Sequence, residues 1–165
     1  MTSGRWVAHL GQGALAGAAG TTALNAATYV DMVVRGRPAS STPEQTVGKL
    51  LGLLQVPLPD DVDKRNARTS ALGSLLGAAA GISAGAAVGA LRASGRARGT
   101  RGAFLATSAV AMLVGNAPMT LLRVTDPRTW SAEDWLADLL PHLAYAAAAT
   151  AAFQAVSHGS SSTRP

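Results

Sequence analysis

Residues 68–92 read RTSALGSLLGAAAGISAGAAVGALR, and glycine recurs in them at an unbroken spacing of four, at Gly73, Gly77, Gly81, Gly85 and Gly89. No charge interrupts residues 69–91, so a helix here is long enough to cross a bilayer, which takes about 20 apolar residues. A glycine costs roughly 1 kcal/mol inside a helix exposed to water. In a membrane, small residues four apart allow two helix backbones to approach closely. The stretch therefore predicts a membrane helix that packs through its glycine face.

The composition favours a membrane protein over a water-soluble domain. Charged residues make up 14% of the 165 residues, against about 25% in an ordinary soluble domain. The net charge of +5 does not indicate nucleic-acid binding, because the arginines flank apolar segments and do not line one face with interleaved aromatic residues. The chain has no cysteine, which excludes disulfides and thiolate metal sites.

Four apolar segments are predicted to span the membrane, at residues 7–30, 69–91, 103–122 and 135–156. An amphipathic helix over residues 43–55 is too short to span and is predicted to lie at the membrane interface. Residues 157–165 are polar and are predicted to be disordered. The predicted fold is all-α: a single membrane domain over residues 1–156, built as an integral membrane four-helix bundle with a short interfacial helix in the first long loop.

The first segment has its own line of small residues four apart, at Gly13, Gly17, Thr21 and Asn25. We expect this face to meet the groove formed by residues 73–89. The spacing leaves open whether the glycine faces pair within one chain or between chains. The predicted partners are therefore membrane lipid and either a second copy of the chain or another membrane protein.

The arginines predict the orientation. The connection from Arg92 to Arg101 contains four arginines and no acidic residue, and short loops rich in Lys and Arg stay in the cytoplasm. With four spans, this connection and both termini lie on the same side. We therefore expect a multi-pass protein of the inner (cytoplasmic) membrane with both termini in the cytoplasm.

Polar residues on the last segment form a candidate pocket. Asp138, His142 and Tyr145 lie four and then three residues apart, so they share one helix face, and Asn116 of the third segment is the expected fourth member. One interpretation is a proton-linked or ligand-binding pocket. The other is that Asp138 and His142 lie within two turns of the interface, where headgroup water solvates them.

A second candidate site precedes the short helix. Arg35, Arg37, Ser41 and Thr42 are positioned to hold an anion or a lipid headgroup beside a helix N-terminus, although juxtamembrane arginines and a capping loop explain the same residues without a ligand. The sequence has no phosphate-binding glycine loop, HExxH motif or nucleophile elbow. We therefore predict no catalytic residue, cofactor, metal site or enzymatic activity.

Two runs of sequence carry a resemblance: GQGALAGAAGTTALNAATYVDMVVRGRPASSTPEQTV at residues 11–47 and APMTLLRVTDPRTWSAEDWLADLLPHLAYAAA at residues 117–148. They resemble a group of small bacterial four-span integral membrane proteins of unknown function. They are more loosely similar to the YagU-like inner-membrane proteins, which also combine a Gly-rich first span with a late His-containing helix. The resemblance covers most of the chain from Gly11 to Ala148 and implies a four-span inner-membrane protein without implying an activity.

The leading functional hypothesis is a structural or interaction role, in which the chain packs or oligomerises through its glycine-spaced helix faces. The alternative is a component of a small-solute or proton-coupled transporter that uses the polar residues of the fourth helix. A lipid-modifying enzyme ranks third, because no pair of nucleophile and base is evident.

Overall fold

A computed structural model describes residues 3–97 and 99–159, and within these ranges the regular structure is entirely helical. It comprises five α-helices and one 3₁₀ turn: α1 (Ser3–Arg35), α2 (Thr42–Leu53), α3 (Val62–Ala93), α4 (Gly99–Leu121), the 3₁₀ turn Pro127–Thr129, and α5 (Ala132–Gly159). The predicted all-α class is confirmed.

Three of the helices are long and apolar enough to cross a membrane: α3, α4 and the part of α5 from Ala132 to Ser157. The prediction of membrane helices is confirmed to that extent. With 33 residues, α1 has the length, but His9, Gln12 and Asn25 make it less apolar, and it is not among the three. A fourth span therefore stays a prediction.

Charged caps set where α3 begins. This helix starts at Val62, before the predicted span at residue 69. The Asp61 side chain accepts a hydrogen bond from the backbone N–H of Lys64 at 2.9 Å, and Asp63 adds a negative charge to the first turn. Carboxylates at these positions stabilise a helix N-terminus, so α3 extends beyond its apolar stretch.

A reciprocal cap begins α5. The backbone N–H of Asp134 donates to the Ser131 hydroxyl at 3.1 Å, and the backbone N–H of Ser131 donates to Asp134 Oδ2 at 2.9 Å. This is the capping-box arrangement. The helix continues to Gly159, so residues 157–159 of the predicted disordered tail are helical. Residues 160–165 lie outside the described residues.

The short helix α2 packs against α3 and also contacts α4. Thr46 and Val47 are buried. The Lys49 ammonium donates to the backbone carbonyls of Leu122 at 2.8 Å and Arg123 at 2.7 Å, just after α4 ends. The predicted helix over residues 43–55 therefore forms, over Thr42–Leu53, and it is anchored to the end of α4. Its location at a membrane interface stays a prediction.

The long helices pack through small side chains. α1 lies against α3 and α5, and α4 lies against the same two helices. The core cluster is made mainly of alanine and contains only two large residues: Ala16, Ala84, Ala111, Tyr145, Ala149 and Phe153. Small residues at such positions bring the helix axes close together, so the backbones themselves form much of the contact.

Candidate functional site

Glycines bring the backbones of α1 and α3 into direct contact. A Cβ atom placed on Gly17 would lie 2.6 Å from the carbonyl oxygen of Gly81 and 3.1 Å from the Cα of Gly85. A Cβ atom on Gly85 would lie 2.7 Å from the backbone nitrogen of Gly17 and would collide with the carbonyl oxygen of Gly13. Carbon atoms in van der Waals contact are about 3.5–4.0 Å apart. No side chain fits at these positions without moving the helices.

The contact has an antiparallel register. Gly13 faces Gly85 and Gly89, whereas Gly17 faces Gly81 and Gly85. Thr21 continues the α1 line beside Gly81, and its hydroxyl donates to the Gly17 carbonyl at 2.8 Å. The small-residue face of the first segment and the glycine face of the second therefore meet within one chain.

The two remaining glycines of the series lie outside this contact. A Cβ atom on Gly73 would lie 3.2 Å from the Cβ of Pro43 at the start of α2. A Cβ atom on Gly77 would have no atom of another helix within 4 Å. The glycine series of α3 thus contacts two neighbouring helices. The C-terminal glycines of the series contact α1, and the N-terminal glycine contacts α2. Gly77 lies between these contacts and faces open space.

Tyr145 of α5 reaches the same contact. Its side chain is 1% exposed, and its hydroxyl donates to the Gly81 carbonyl at 2.5 Å. The ring covers Gly20, where a Cβ atom would lie 2.7 Å from the ring. Tyr145 therefore joins α5 to both α1 and α3. Gly20 falls between the residues of the fourfold series, so that series did not identify it as a packing position.

Asn116, Asp138 and His142 come together between α4 and α5, as the polar-pocket hypothesis requires of these three. The Asn116 amide donates to Asp138 Oδ2 at 2.9 Å. His142 Nδ1 lies 2.7 Å from the Asp138 carbonyl oxygen and 3.5 Å from Asp138 Oδ1. Because both neighbouring atoms are oxygens that accept hydrogen bonds, we infer that Nδ1 carries the hydrogen and donates it to the carbonyl. The Asp138 and His142 side chains are 16% and 12% exposed, so the cluster is mostly buried.

The surroundings of this polar cluster leave hydrogen-bonding capacity unused. Asn116 Oδ1 is buried and has no hydrogen-bond partner in the part of the chain that the structure describes. Pro118 lies inside α4 and Pro141 inside α5. A proline has no N–H for the carbonyl four residues earlier. Backbone acceptors therefore lie near the cluster on both helices. Tyr145, the remaining predicted member, belongs instead to the contact with Gly81.

The arginines of the predicted anion site are paired with carboxylates. Arg35 Nε lies 2.8 Å from Asp31 Oδ1, and its Nη1 lies 2.6 Å from Glu133 of α5. Arg37 Nε lies 2.5 Å from Asp31 Oδ2. Hydrogen bonds from Arg37 and Arg35 hold the pKa of the Asp31 carboxyl below its usual range. The two positive charges are therefore largely neutralised within the chain.

The hydroxyl members of that predicted site are also engaged nearby. The Gln45 amide donates to the Ser41 hydroxyl oxygen at 2.9 Å, and the Ser40 hydroxyl donates to that of Thr42, also at 2.9 Å. These bonds organise the turn that leads into α2. An anion at this position stays a prediction, although the loop is already ordered by contacts of its own.

No family model, curated protein or solved structure matches the chain. The class of protein therefore rests on the chain itself: the residues that the structure describes are all-helical in their regular structure and include three helices suited to crossing a membrane.

Proposed function

We propose that the chain is a four-span integral membrane protein with a structural or interaction role. The observation that carries this proposal is the backbone contact between α1 and α3 at Gly13, Gly17, Gly81 and Gly85. It supports a compact bundle that uses its glycines for internal packing and turns its remaining faces toward lipid or membrane partners. An inner-membrane location with both termini in the cytoplasm completes the proposal.

A membrane location for α1 is supported by the position at which α1 contacts α3. The contact involves residues 81–89 of α3, which lie inside the uncharged stretch of that helix. Hydroxyls on α1 donate to backbone carbonyls four residues earlier, from Thr21 at 2.8 Å, Thr22 at 3.1 Å and Thr28 at 2.9 Å. A satisfied hydroxyl is less costly in hydrocarbon than an unpaired one. Residue hydropathy therefore understates how well α1 suits a membrane.

Labelling of single cysteines tests the fourth span, because the chain has no cysteine of its own. Gly4→Cys lies before the proposed span, and Ser40→Cys lies after it. We expect a membrane-impermeant maleimide to reach these two positions from opposite sides of sealed vesicles. Ser94→Cys should label from the same side as Gly4→Cys. Labelling of Gly4→Cys and Ser40→Cys from one side would show that α1 does not cross.

The second candidate function is a component of a proton-coupled or small-solute transporter. It is favoured by the mostly buried cluster of Asn116, Asp138 and His142 between α4 and α5. Asn116 also lines a groove of about 510 Å³ with Trp130 and Trp135, so this member of the cluster borders an open space. Purified protein in liposomes should then take up protons under an imposed gradient, and Asp138→Asn should abolish the uptake. An absence of flux with the unmutated protein would remove this candidate.

A further inference from the structure

A groove of about 460 Å³ runs between α4 and α5, near the connection formed by residues 92–101. Phe104 and Leu105 line it from α4, and Ala147 and Ala151 line it from α5. Both helices are long and apolar enough to cross a membrane. In a bilayer, the apolar part of the groove would therefore face hydrocarbon and would be filled by an acyl chain.

The end of the groove near the connection is positively charged. Arg101 lines it from the first turn of α4 and forms no ion pair with any residue in the described ranges. The connection that ends at Arg101 contains no acidic residue, so no carboxylate of that segment competes for its charge. Basic sites between membrane helices are typical binding sites for anionic lipid headgroups.

A buried hydroxyl provides an independent observation in the same groove. Thr150 lines the groove and is 5% exposed, and its hydroxyl has no hydrogen-bond partner among the residues that the structure describes. A threonine in a helix usually donates to a carbonyl in the preceding turn. The Thr150 hydroxyl therefore leaves its hydrogen-bonding capacity unused in the wall of the groove.

We propose that this groove binds an anionic phospholipid, with an acyl chain along Phe104, Ala147 and Ala151 and the phosphate at Arg101. From residue 147 to residue 154, α5 rises about 10 Å, so the groove holds the part of the chain next to the headgroup. A zwitterionic lipid would place its cationic group near Arg101, which favours the anionic lipid. This inference concerns α4 and α5 alone and holds whether or not α1 crosses the membrane.

Native mass spectrometry of the full-length protein tests this site. The protein is equilibrated in equal amounts of phosphatidylglycerol and phosphatidylcholine, and the lipids that stay bound are counted. We expect phosphatidylglycerol to be enriched, and Arg101→Gln to lower its retention about fivefold, the effect of one basic residue near a membrane surface. Arg5→Gln is the matched control, because Arg5 is exposed at the N-terminal end of α1, outside the groove, and should leave retention unchanged.

A second variant tests the apolar part while keeping the arginine. Ala147→Leu with Ala151→Leu fills the groove and should reduce retention by a similar factor. Ala79→Leu with Ala87→Leu, at exposed positions of α3, is the control and should have no effect. Equal binding of the two lipids to the unmutated protein would overturn the proposal. So would equal losses in Arg101→Gln and Arg5→Gln, or full retention after the groove is filled. Circular dichroism of each variant verifies that the helices are intact.

Discussion

Gly85→Ala is the most informative single change, because it adds one methyl group where two backbones meet. The new Cβ would lie 2.5 Å from the Gly17 Cα and 2.7 Å from the Gly17 nitrogen. These backbone atoms cannot rotate away as a side chain would, so α1 and α3 must separate by about 1 Å to restore van der Waals distances. Overpacking of this kind costs about 1–3 kcal/mol. Alanine recovers up to about 1 kcal/mol through its helix propensity. We therefore expect a net loss of up to about 2 kcal/mol relative to the wild-type protein.

Gly77→Ala is the matched control for this prediction. It makes the same substitution two steps earlier in the series, where the new Cβ meets no atom of another helix within 4 Å. Only the gain in helix propensity applies, so the stability should stay equal or rise. Thermal unfolding in detergent should give a melting temperature for Gly85→Ala that is several degrees below that of Gly77→Ala. Equal melting temperatures would refute the close backbone contact within the chain.

The oligomeric state distinguishes glycine faces that pair within one chain from glycine faces that pair between chains. If Gly85 packs against α1 of the same chain, Gly85→Leu should unfold the protein and not merely dissociate an assembly. Size-exclusion chromatography in detergent, combined with circular dichroism, measures both. A variant that keeps its helical fold and stability but changes from oligomer to monomer would show that the glycine face pairs between chains.

Three further predictions concern individual contacts. Tyr145→Phe removes the hydrogen bond to the Gly81 carbonyl and should lower the free energy of unfolding by about 1 kcal/mol, measured by unfolding in mixed detergent; an unchanged value would argue against the bond. Lys49→Met removes the donor to the two carbonyls after α4 and should lower the free energy of unfolding by about 1 kcal/mol. Hydrogen exchange at the end of α4 should become faster, and unchanged exchange would contradict the anchoring of α2 to α4. The Asp31 pKa is lowered by Arg37 and Arg35, so its stabilising contribution is present above the unfolded pKa of about 3.9 and is lost as pH falls through the folded value. The difference in melting temperature between the wild-type protein and Asp31→Asn should therefore stay constant above about pH 5 and shrink as the pH falls below about 4. A difference that does not change with pH would contradict these pairings.

Helix geometry explains why the glycine series predicted a packing face but not all of its neighbours. Residues four apart in a helix of 3.6 residues per turn advance by about 40° around the axis. Over the four steps from Gly73 to Gly89, the series therefore turns by about 160°. A single straight helix cannot stay in contact with such a stripe. In the structure, α1 contacts Gly81, Gly85 and Gly89, and α2 contacts Gly73. Gly77 lies between these two contacts.

The same geometry limits how far the polar pocket could be predicted. Seven residues separate Asp138 from Tyr145, so both lie on nearly the same face, but about 10 Å apart along the axis. The angular position of each side chain around the helix axis was therefore predictable. The depth of each side chain in the bundle depends on the residues of other helices that it contacts. Gly20 and Gly81 leave space for the Tyr145 ring. Asp138 instead meets Asn116. A periodicity argument contains no information about those partners on other helices.

Arginine alone does not indicate an anion site, because a neighbouring carboxylate decides whether its charge is available. Arg35 follows Asp31 by four residues on α1 and forms an ion pair with it, a pairing that helical spacing by itself predicts. That spacing was a sequence signal against an anion at the loop after α1. Arg101 ends a connection with four arginines and no acidic residue, and it lines an apolar groove between two membrane-compatible helices. The same residue type therefore stabilises the fold at one position and favours a lipid phosphate at the other.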